Sequence, residues 1–114
     1  MSVITTHVLD VALGRPAAGV AVTLEVSDGG TGFRALGRGV TDADGRLRSL
    51  LPAGTPLRAG TYRLTFATGP YHRALGVAAF HPEVSVAFEV RDPAQAHHVP
   101  LLLSPHGYTT YRGS

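Results

Sequence analysis

The sequence contains no cysteine, no lysine, no asparagine and no tryptophan. Without cysteine there can be no disulfide framework, no thiolate metal site and no cysteine nucleophile. Without lysine, a Schiff-base mechanism and the lysine of a P-loop phosphate site are excluded. The absence of asparagine excludes N-glycosylation. Any chemistry must therefore come from histidine, arginine, hydroxyl and carboxylate groups.

Strong charge and long apolar runs are also missing. Ten arginines face eight acidic residues, for a formal net charge of +2, and they are scattered from Arg15 to Arg112 without a basic run. Nucleic-acid binding is therefore not favoured. No run approaches the roughly 18 apolar residues of a membrane span, and the first residues lack a cationic, then apolar, signal segment. We expect one cytoplasmic domain spanning residues 1–114 of this 114-residue chain.

Apolar residues alternate with polar ones along most of the chain, which predicts β-strands. The alternation is clean in Val20–Ser27, Thr61–Ala67 and Val84–Val90. Weaker patterns predict strands at Ile4–Val11, Arg34–Thr41, His98–Leu103 and Tyr108–Tyr111, and a short strand or loop at Arg48–Leu51. One helix is expected at Pro70–Leu75, ended by Gly76. Short strands separated by frequent turns indicate an all-β sandwich.

Two local features qualify this pattern. Asp42–Gly45 reads as a tight turn in which Gly45 takes a positive φ. Val99–Leu103 is apolar on both faces, so both faces of this strand must be shielded from water. We expect another subunit to bury much of the second face. Pro100 is expected at an edge or a bulge, because it cannot donate to a central ladder.

Six histidines are the main candidates for proton transfer near neutral pH. His7 lies on the first strand and shares a face with Thr5 and Leu9. His97 and His98 are adjacent in an extended segment and must point to opposite faces, so only one of them can join a given site. Strand parity alone does not decide which one.

The other three histidines, His72, His81 and His106, are interpreted as surface or interface residues bonded to backbone. A zinc site built from His7, His97 and His98 is an alternative. It has little support, because no His-x-His pair and no HExxH helix is present. Arg46 follows the turn glycine and is either a solvated charge or a fixed donor for an anion.

Three parts of the chain resemble one known family. The N-terminal part contains Thr5–Asp10 (TTHVLD) and Gly14–Ala17 (GRPA), and the central part contains Thr41–Arg46 (TDADGR). The C-terminal part contains His98–Pro105 (HVPLLLSP) and Gly107–Ser114 (GYTTYRGS). In order and spacing they resemble the transthyretin-related 5-hydroxyisourate hydrolases of purine catabolism. The closing YRGS resembles the enzymes and not the vertebrate hormone carrier that shares their fold.

The resemblance implies a transthyretin-like sandwich of two four-stranded sheets with one short helix. It implies a homotetramer with active sites at the dimer–dimer interface, and no metal or organic cofactor. The implied reaction is hydrolytic opening of the ring of 5-hydroxyisourate to 2-oxo-4-hydroxy-4-carboxy-5-ureidoimidazoline, on the way from urate to allantoin.

The resemblance also assigns the site residues. The implied catalytic residues are His7, Arg46, His98 and Ser114, and the implied substrate-binding residues are His7, Arg46, Tyr111, Arg112, Gly113 and Ser114. A histidine would deprotonate water, and the residue types leave open whether it is His7 or His98. Two alternatives to this enzyme remain: a carrier with the same fold, and the zinc hydrolase.

Overall fold

Within residues 4–114, which the computed structural model describes, nine strands form two sheets, and one helix lies between the sixth and seventh strands in the chain. The strands are β1 (Ile4–Asp10), β2 (Arg15–Pro16), β3 (Ala21–Ser27), β4 (Phe33–Val40), β5 (Arg46–Leu47), β6 (Gly60–Phe66), β7 (Val84–Val90), β8 (His97–Leu103) and β9 (Tyr108–Thr110). The helix, α1, spans Thr68–Ala74. One sheet has the order β2-β1-β8-β9, with β5 also paired to β1, and the other has the order β4-β3-β6-β7. The predicted all-β sandwich is confirmed, and β5 adds a short fifth strand to one sheet.

The core lies between the two sheets and follows the alternation of the sequence. Buried side chains alternate with more exposed ones along β1 and along β6 from Thr61 onward. The same alternation covers Ala21–Leu24 of β3, and in β8 it is interrupted by the buried Pro100. The largest fully buried apolar side chains are Phe66, Ile4, Leu24, Leu50, Leu64, Leu101 and Leu103. Burial of this apolar surface is the main favourable contribution to folding. The other face of each strand is left available for polar groups.

The structure departs from the predicted elements in its shortest pieces. Arg48–Leu51 is a loop, the second of the two readings that the sequence allowed, and the neighbouring strand β5 occupies Arg46–Leu47 instead. Two-residue strands such as β2 and β5 are too short to show alternation. The helix begins two residues before Pro70. Proline is tolerated in the first turn because the N–H groups of that turn have no partner within the helix. As predicted, the chain leaves the helix at Gly76, with φ of 71°.

The expected edge or bulge position of Pro100 is wrong. Pro100 is in β8, between β1 and β9, and is buried. The β8–β9 ladder ends at the pair Leu101–Thr110, so no N–H is needed from Pro100 on that side, and its carbonyl accepts a hydrogen bond of 2.8 Å from the Thr110 hydroxyl. Gly113 of the same chain packs against Pro100, so at this residue the cover expected from another subunit is supplied internally.

A buried carboxylate joins helix α1 to the end of β1. Asp10 Oδ2 accepts a hydrogen bond of 2.7 Å from the Tyr71 hydroxyl, and Asp10 Oδ1 accepts one of 3.0 Å from the Leu13 N–H. Burial, with the hydrogen bond to Asp10, raises the pKa of Tyr71 to about 12. The phenol therefore remains a donor well above neutral pH. The helix is neither long nor apolar enough to cross a membrane, and no other helix occurs in residues 4–114.

His72 is not the surface residue that the sequence predicted. Its side chain is buried on the inner side of α1, and neither ring nitrogen has a hydrogen-bond partner among the described residues. Tyr71 packs edge-on against it, with ring centroids 5.3 Å apart. Of the other two histidines treated in this way, His81 packs edge-on against Phe80 and Tyr108, and His106 is exposed.

Replacing Tyr71 by phenylalanine tests the link between helix and sheet. We expect Tyr71→Phe to lower the free energy of unfolding by about 1.5–3 kcal/mol, because a hydrogen bond to a buried carboxylate is lost. Because the folded-state pKa is raised, the difference should persist below about pH 10 and disappear as the pH rises through about 12. Urea unfolding measures it. Tyr108→Phe, at an exposed tyrosine, is the matched control, and equal stability of the two variants would contradict the prediction.

Candidate active site

The outer face of the five-stranded sheet gathers most of the residues singled out by the sequence. In β1, Thr5 and His7 are half-buried and point away from the core, while their neighbours are buried. In β8, His98 points to the same outer side, and His97 is buried on the inner side. This settles the question that strand parity left open, because only His98 shares a face with His7.

Strand register then places these side chains next to one another. β1 and β8 are parallel, with Thr5 opposite His98. On the other side of β1, the antiparallel strand β5 places Arg46 opposite His7. Neighbouring strands lie about 4.8 Å apart, so the four side chains form a compact group although they are up to 93 residues apart in the chain.

The turn before β5 holds Arg46 in position. Asp42 Oδ1 accepts hydrogen bonds from the N–H groups of Asp44 and Arg46, at 2.9 and 3.0 Å. The hydrogen bond from Arg46 is the largest of the effects that lower the pKa of Asp42. Gly45 has the predicted positive φ, 74°, and a Cβ there would lie 2.3 Å from the Val8 carbonyl oxygen. Glycine therefore lets the turn approach β1 closely enough to pair.

The C-terminal segment closes over His98. The Gly113 N–H donates a hydrogen bond of 2.8 Å to the His98 carbonyl oxygen, which forms an isolated bridge beyond the end of β9. A Cβ on Gly113 would lie 2.5 Å from Cδ2 of the His98 ring and 3.2 Å from Cγ of Pro100. A glycine at this position thus allows the backbone to contact one side of the imidazole.

These elements border an open groove of about 740 Å³. Its lining residues are Thr5, Thr6, Arg46, Arg48, Gln95, Ala96, His98, Arg112, Gly113 and Ser114. Five of the seven predicted site residues therefore border one space, which lies in the size range of small-molecule sites.

The remaining two predicted residues are placed differently. His7 adjoins the groove through its pairing with Arg46, but within residues 4–114 it does not contribute to the lining. Tyr111 is 55% exposed and borders a second, mainly apolar cavity of about 310 Å³, which His97 and Arg112 also line. Arg112 therefore lies between the two cavities, and its guanidinium donates a hydrogen bond of 3.2 Å to Gln95 Oε1.

Sequence reasoning assigned no role to the other five lining residues, which are Thr5, Thr6, Arg48, Gln95 and Ala96. Thr5 had a usable signal, because it lies two residues before His7 and so shares its face. Arg48 is likewise two residues after Arg46. Gln95 lies in the loop between β7 and β8, where no periodic pattern could have indicated its orientation.

The hydrogen bond of His7 determines the tautomer of its ring, whereas the hydrogen bond of His98 does not. His7 Nε2 lies 2.8 Å from the Asp44 carbonyl oxygen, which can only accept, so Nε2 carries the proton and the neutral ring has its lone pair on Nδ1. His98 Nδ1 lies 2.8 Å from the Thr5 hydroxyl oxygen, which can donate or accept. The tautomer of His7 is therefore set by the backbone.

The surroundings of His98 favour its neutral form. Burial is the main cause that lowers the pKa of His98 below its usual value of 6.5, and the nearby Arg46 and His7 lower it further. A neutral imidazole beside a permanent cation can accept a proton while the cation stabilises negative charge. The arrangement suits attack of water on a carbonyl group.

The alternative zinc site requires three histidines that the fold separates. His97 points into the core, away from His7 and His98. Among residues 4–114 there is no group of three histidine, aspartate or glutamate side chains placed to hold a metal ion. The proposed ligand set therefore does not converge.

Comparison with known proteins independently identifies the family and the fold of this chain. The sequence profile described as the HIUase/Transthyretin family matches residues 4–113. The chain is 48% identical to the 5-hydroxyisourate hydrolase of Caulobacter vibrioides over 118 aligned positions, covering 100% of both chains. It is 36% identical to the solved structure of Klebsiella pneumoniae 5-hydroxyisourate hydrolase, with a TM-score of 0.83 and coverage of 97% and 98%. Sea bream transthyretin in complex with thyroxine is 31% identical, with a TM-score of 0.90 and coverage of 97% and 94%.

The electrostatics of the group can be tested by NMR titration of its histidines. We expect His98 to titrate below the ordinary value of 6.5. Arg46→Gln should raise its midpoint only partly toward that value, because burial, the larger cause, is retained. Arg34→Gln, which removes an exposed arginine from β4 in the other sheet, is the control and should leave the midpoint unchanged. A midpoint of 6.5 or above in the unmodified protein would contradict the assignment.

Proposed function

The chain belongs to the HIUase/Transthyretin family, and we propose that it is a 5-hydroxyisourate hydrolase. It opens the ring of 5-hydroxyisourate by adding water to a cyclic amide carbonyl, which yields 2-oxo-4-hydroxy-4-carboxy-5-ureidoimidazoline. The observation that carries the proposal is that His98, whose pKa is lowered by burial and by Arg46, borders the same groove as Arg46, and this groove is open to a small molecule.

The fold by itself does not distinguish an enzyme from a carrier. The TM-score with the transthyretin, 0.90, is higher than the score with the hydrolase, 0.83. The distinction rests on identity with curated hydrolases over the full chain and on the chemistry of the groove. A carrier needs a complementary cavity, whereas hydrolysis needs a proton acceptor and a group that stabilises the oxyanion.

His98 is proposed as the general base. Its Nε2 takes a proton from water as the water oxygen bonds to the carbonyl carbon of the substrate. A base whose pKa is near or below the working pH is unprotonated and ready to act, and such a group contributes about 10²–10⁴ in rate. The resulting imidazolium then gives this proton to the amide nitrogen of the substrate ring as the bond between that nitrogen and the carbonyl carbon breaks. His98 therefore returns to its neutral form at the end of the reaction.

Arg46 and His7 are proposed to assist this reaction. Arg46 remains protonated, so it serves as a donor to the developing oxyanion rather than as a base. In its backbone-determined tautomer, neutral His7 has a lone pair on Nδ1. It can therefore accept a hydrogen bond from the attacking water and orient it.

The C-terminal residues are proposed to bind the substrate. Arg112, Gly113 and Ser114 border the groove, and Gly113 also supports the His98 ring. The Ser114 hydroxyl is assigned a hydrogen bond to substrate or water. Tyr111 borders the adjoining cavity. We assign it a contact with the substrate in the pocket that the assembled subunits complete.

We further propose a homotetramer with sites at the dimer–dimer interface. The groove is open on one side, and large apolar side chains remain exposed in the described chain, including Val11, Leu13 and Tyr111. Apposed subunits would cover such side chains and exclude water from the groove. A single domain and a cytoplasmic location remain predictions.

The direct test is the decay of freshly formed 5-hydroxyisourate. The substrate is generated with urate oxidase, and its ultraviolet absorbance is followed with and without the protein. We expect strong acceleration over spontaneous decay, a loss of about 10²–10⁴ in kcat for His98→Ala, and no effect of a metal chelator. His106→Ala, at an exposed histidine outside the groove, is the control. Absence of acceleration would favour the carrier, and inhibition by the chelator would revive a metal mechanism.

Gly113→Ala tests the contact between the C-terminal segment and His98. The added methyl would lie 2.5 Å from the imidazole Cδ2, so the ring or the backbone must shift. We expect a loss of about 100-fold in kcat/KM, as for other displacements of about 1 Å, with the thermal midpoint little changed. Gly107→Ala is the matched control, because a Cβ there meets no atom within 4 Å. Full activity of Gly113→Ala would show that the contact is dispensable.

A further inference from the structure

We propose that Thr5 is a positioning residue: its hydroxyl accepts a hydrogen bond from Nδ1–H of His98 and so presents an unprotonated Nε2 to the groove. The inference deepens the proposed function and rests on it, since the value of the exposed lone pair lies in its action as a base. It concerns a residue to which neither motif nor chemistry assigned a role.

The contact is built by the parallel register of β1 and β8. Thr5 lies directly opposite His98, and Thr5 Oγ1 is 2.8 Å from His98 Nδ1. The next residue, Thr6, shows the ordinary use of a strand threonine, because its hydroxyl is buried and donates to the Val99 carbonyl at 2.6 Å. Adjacent threonines thus have different tasks, and only Thr5 faces the groove-side histidine.

Two contacts leave one edge of the His98 ring available. Thr5 occupies Nδ1, and the backbone of Gly113 lies against Cδ2 and Cγ. The Nε2–Cε1 edge remains, and Nε2 makes no hydrogen bond to any described residue. A ring held at two positions cannot rotate freely, so Nε2 is the nitrogen that a molecule in the groove would meet.

The donors around the groove favour an unprotonated Nε2. Three guanidinium groups, those of Arg46, Arg48 and Arg112, border it, and no aspartate or glutamate side chain of residues 4–114 does so. Guanidinium groups donate and do not accept, so a lone pair on Nε2 suits these surroundings better than an N–H. With the proton on Nδ1, Thr5 accepts, and its own hydroxyl hydrogen is free to point into the groove that it borders.

The tautomer can be read directly on the ligand-free protein. Long-range 1H–15N NMR spectra at a pH where His98 is neutral distinguish a protonated Nδ1 from a protonated Nε2. We expect the Nδ1–H form in the unmodified protein and in Thr5→Ser, which keeps the hydroxyl. In Thr5→Val, which keeps the shape without the hydroxyl, we expect a shift toward the Nε2–H form.

The kinetic consequence separates positioning from structure. We expect Thr5→Val to lower kcat about 10- to 100-fold, as when other hydrogen bonds that orient a functional histidine are removed, with KM nearly unchanged, and Thr5→Ser to restore most of kcat. Thr61→Val removes a hydroxyl from β6 in the other sheet and is the matched control. Circular dichroism and thermal unfolding establish that each variant is folded.

Two results would overturn the inference: an Nε2–H tautomer in the unmodified protein, or full kcat in folded Thr5→Val. Failure of the proposed function has a different signature, because the unmodified protein would then not accelerate 5-hydroxyisourate decay at all. The NMR result is independent of that assay. The Nδ1–H tautomer together with a kcat restored by serine would support the role of Thr5.

Discussion

The parallel pairing of β1 with β8 is the constraint on which the site depends. It places Thr5 opposite His98 and, two residues further, His7 opposite Pro100. Because side chains alternate across a strand, a register shift of one residue would turn one strand's groove-facing residues into the core. The apolar inner residues of both strands prevent such a shift, since it would expose Val8 or Leu101 to water. The energetics of the core therefore maintain the geometry of the groove.

The same sheet explains how a histidine can remain neutral beside arginine. Burial of His98 and the neighbouring positive charge of Arg46 both disfavour protonation and hence lower its pKa. The turn from Asp42 to Arg46 keeps that charge close, because backbone hydrogen bonds to the Asp42 carboxylate and the approach of Gly45 to β1 leave little freedom. The lowered pKa makes His98 a weaker base, but it also favours the unprotonated form of His98 at neutral pH. General acid–base catalysis favours a group whose pKa lies near the working pH, so a lowered pKa fits the role proposed for His98.

Much of the fold could be predicted because its physical causes are local. Alternation in Val20–Ser27 and Thr61–Ala67 reflects burial of one face, and positive φ at Gly45 follows from the turn itself. Pro100 and His72 were misplaced because their environments are made by distant residues. Gly113 packs against Pro100, and the Thr110 hydroxyl donates a hydrogen bond to the Pro100 carbonyl. His72 is buried because helix α1 turns that side chain inward. The candidate site was assembled by resemblance, and local patterns alone left His97 and His98 undecided.

The sequence by itself determined the strand alternation, the central turn and the set of groups able to move protons or hold negative charge. Those properties depend on residue type and on neighbours along the chain. The resemblance named His98, but only the tertiary structure shows why it and not His97 shares a face with His7. Only the tertiary structure shows that Thr5 bonds to the His98 ring and that Gly113 lies against it. The reason is that these relations depend on the pairing of strands from opposite ends of the chain. Their register is determined by the shared core, which no single segment contains.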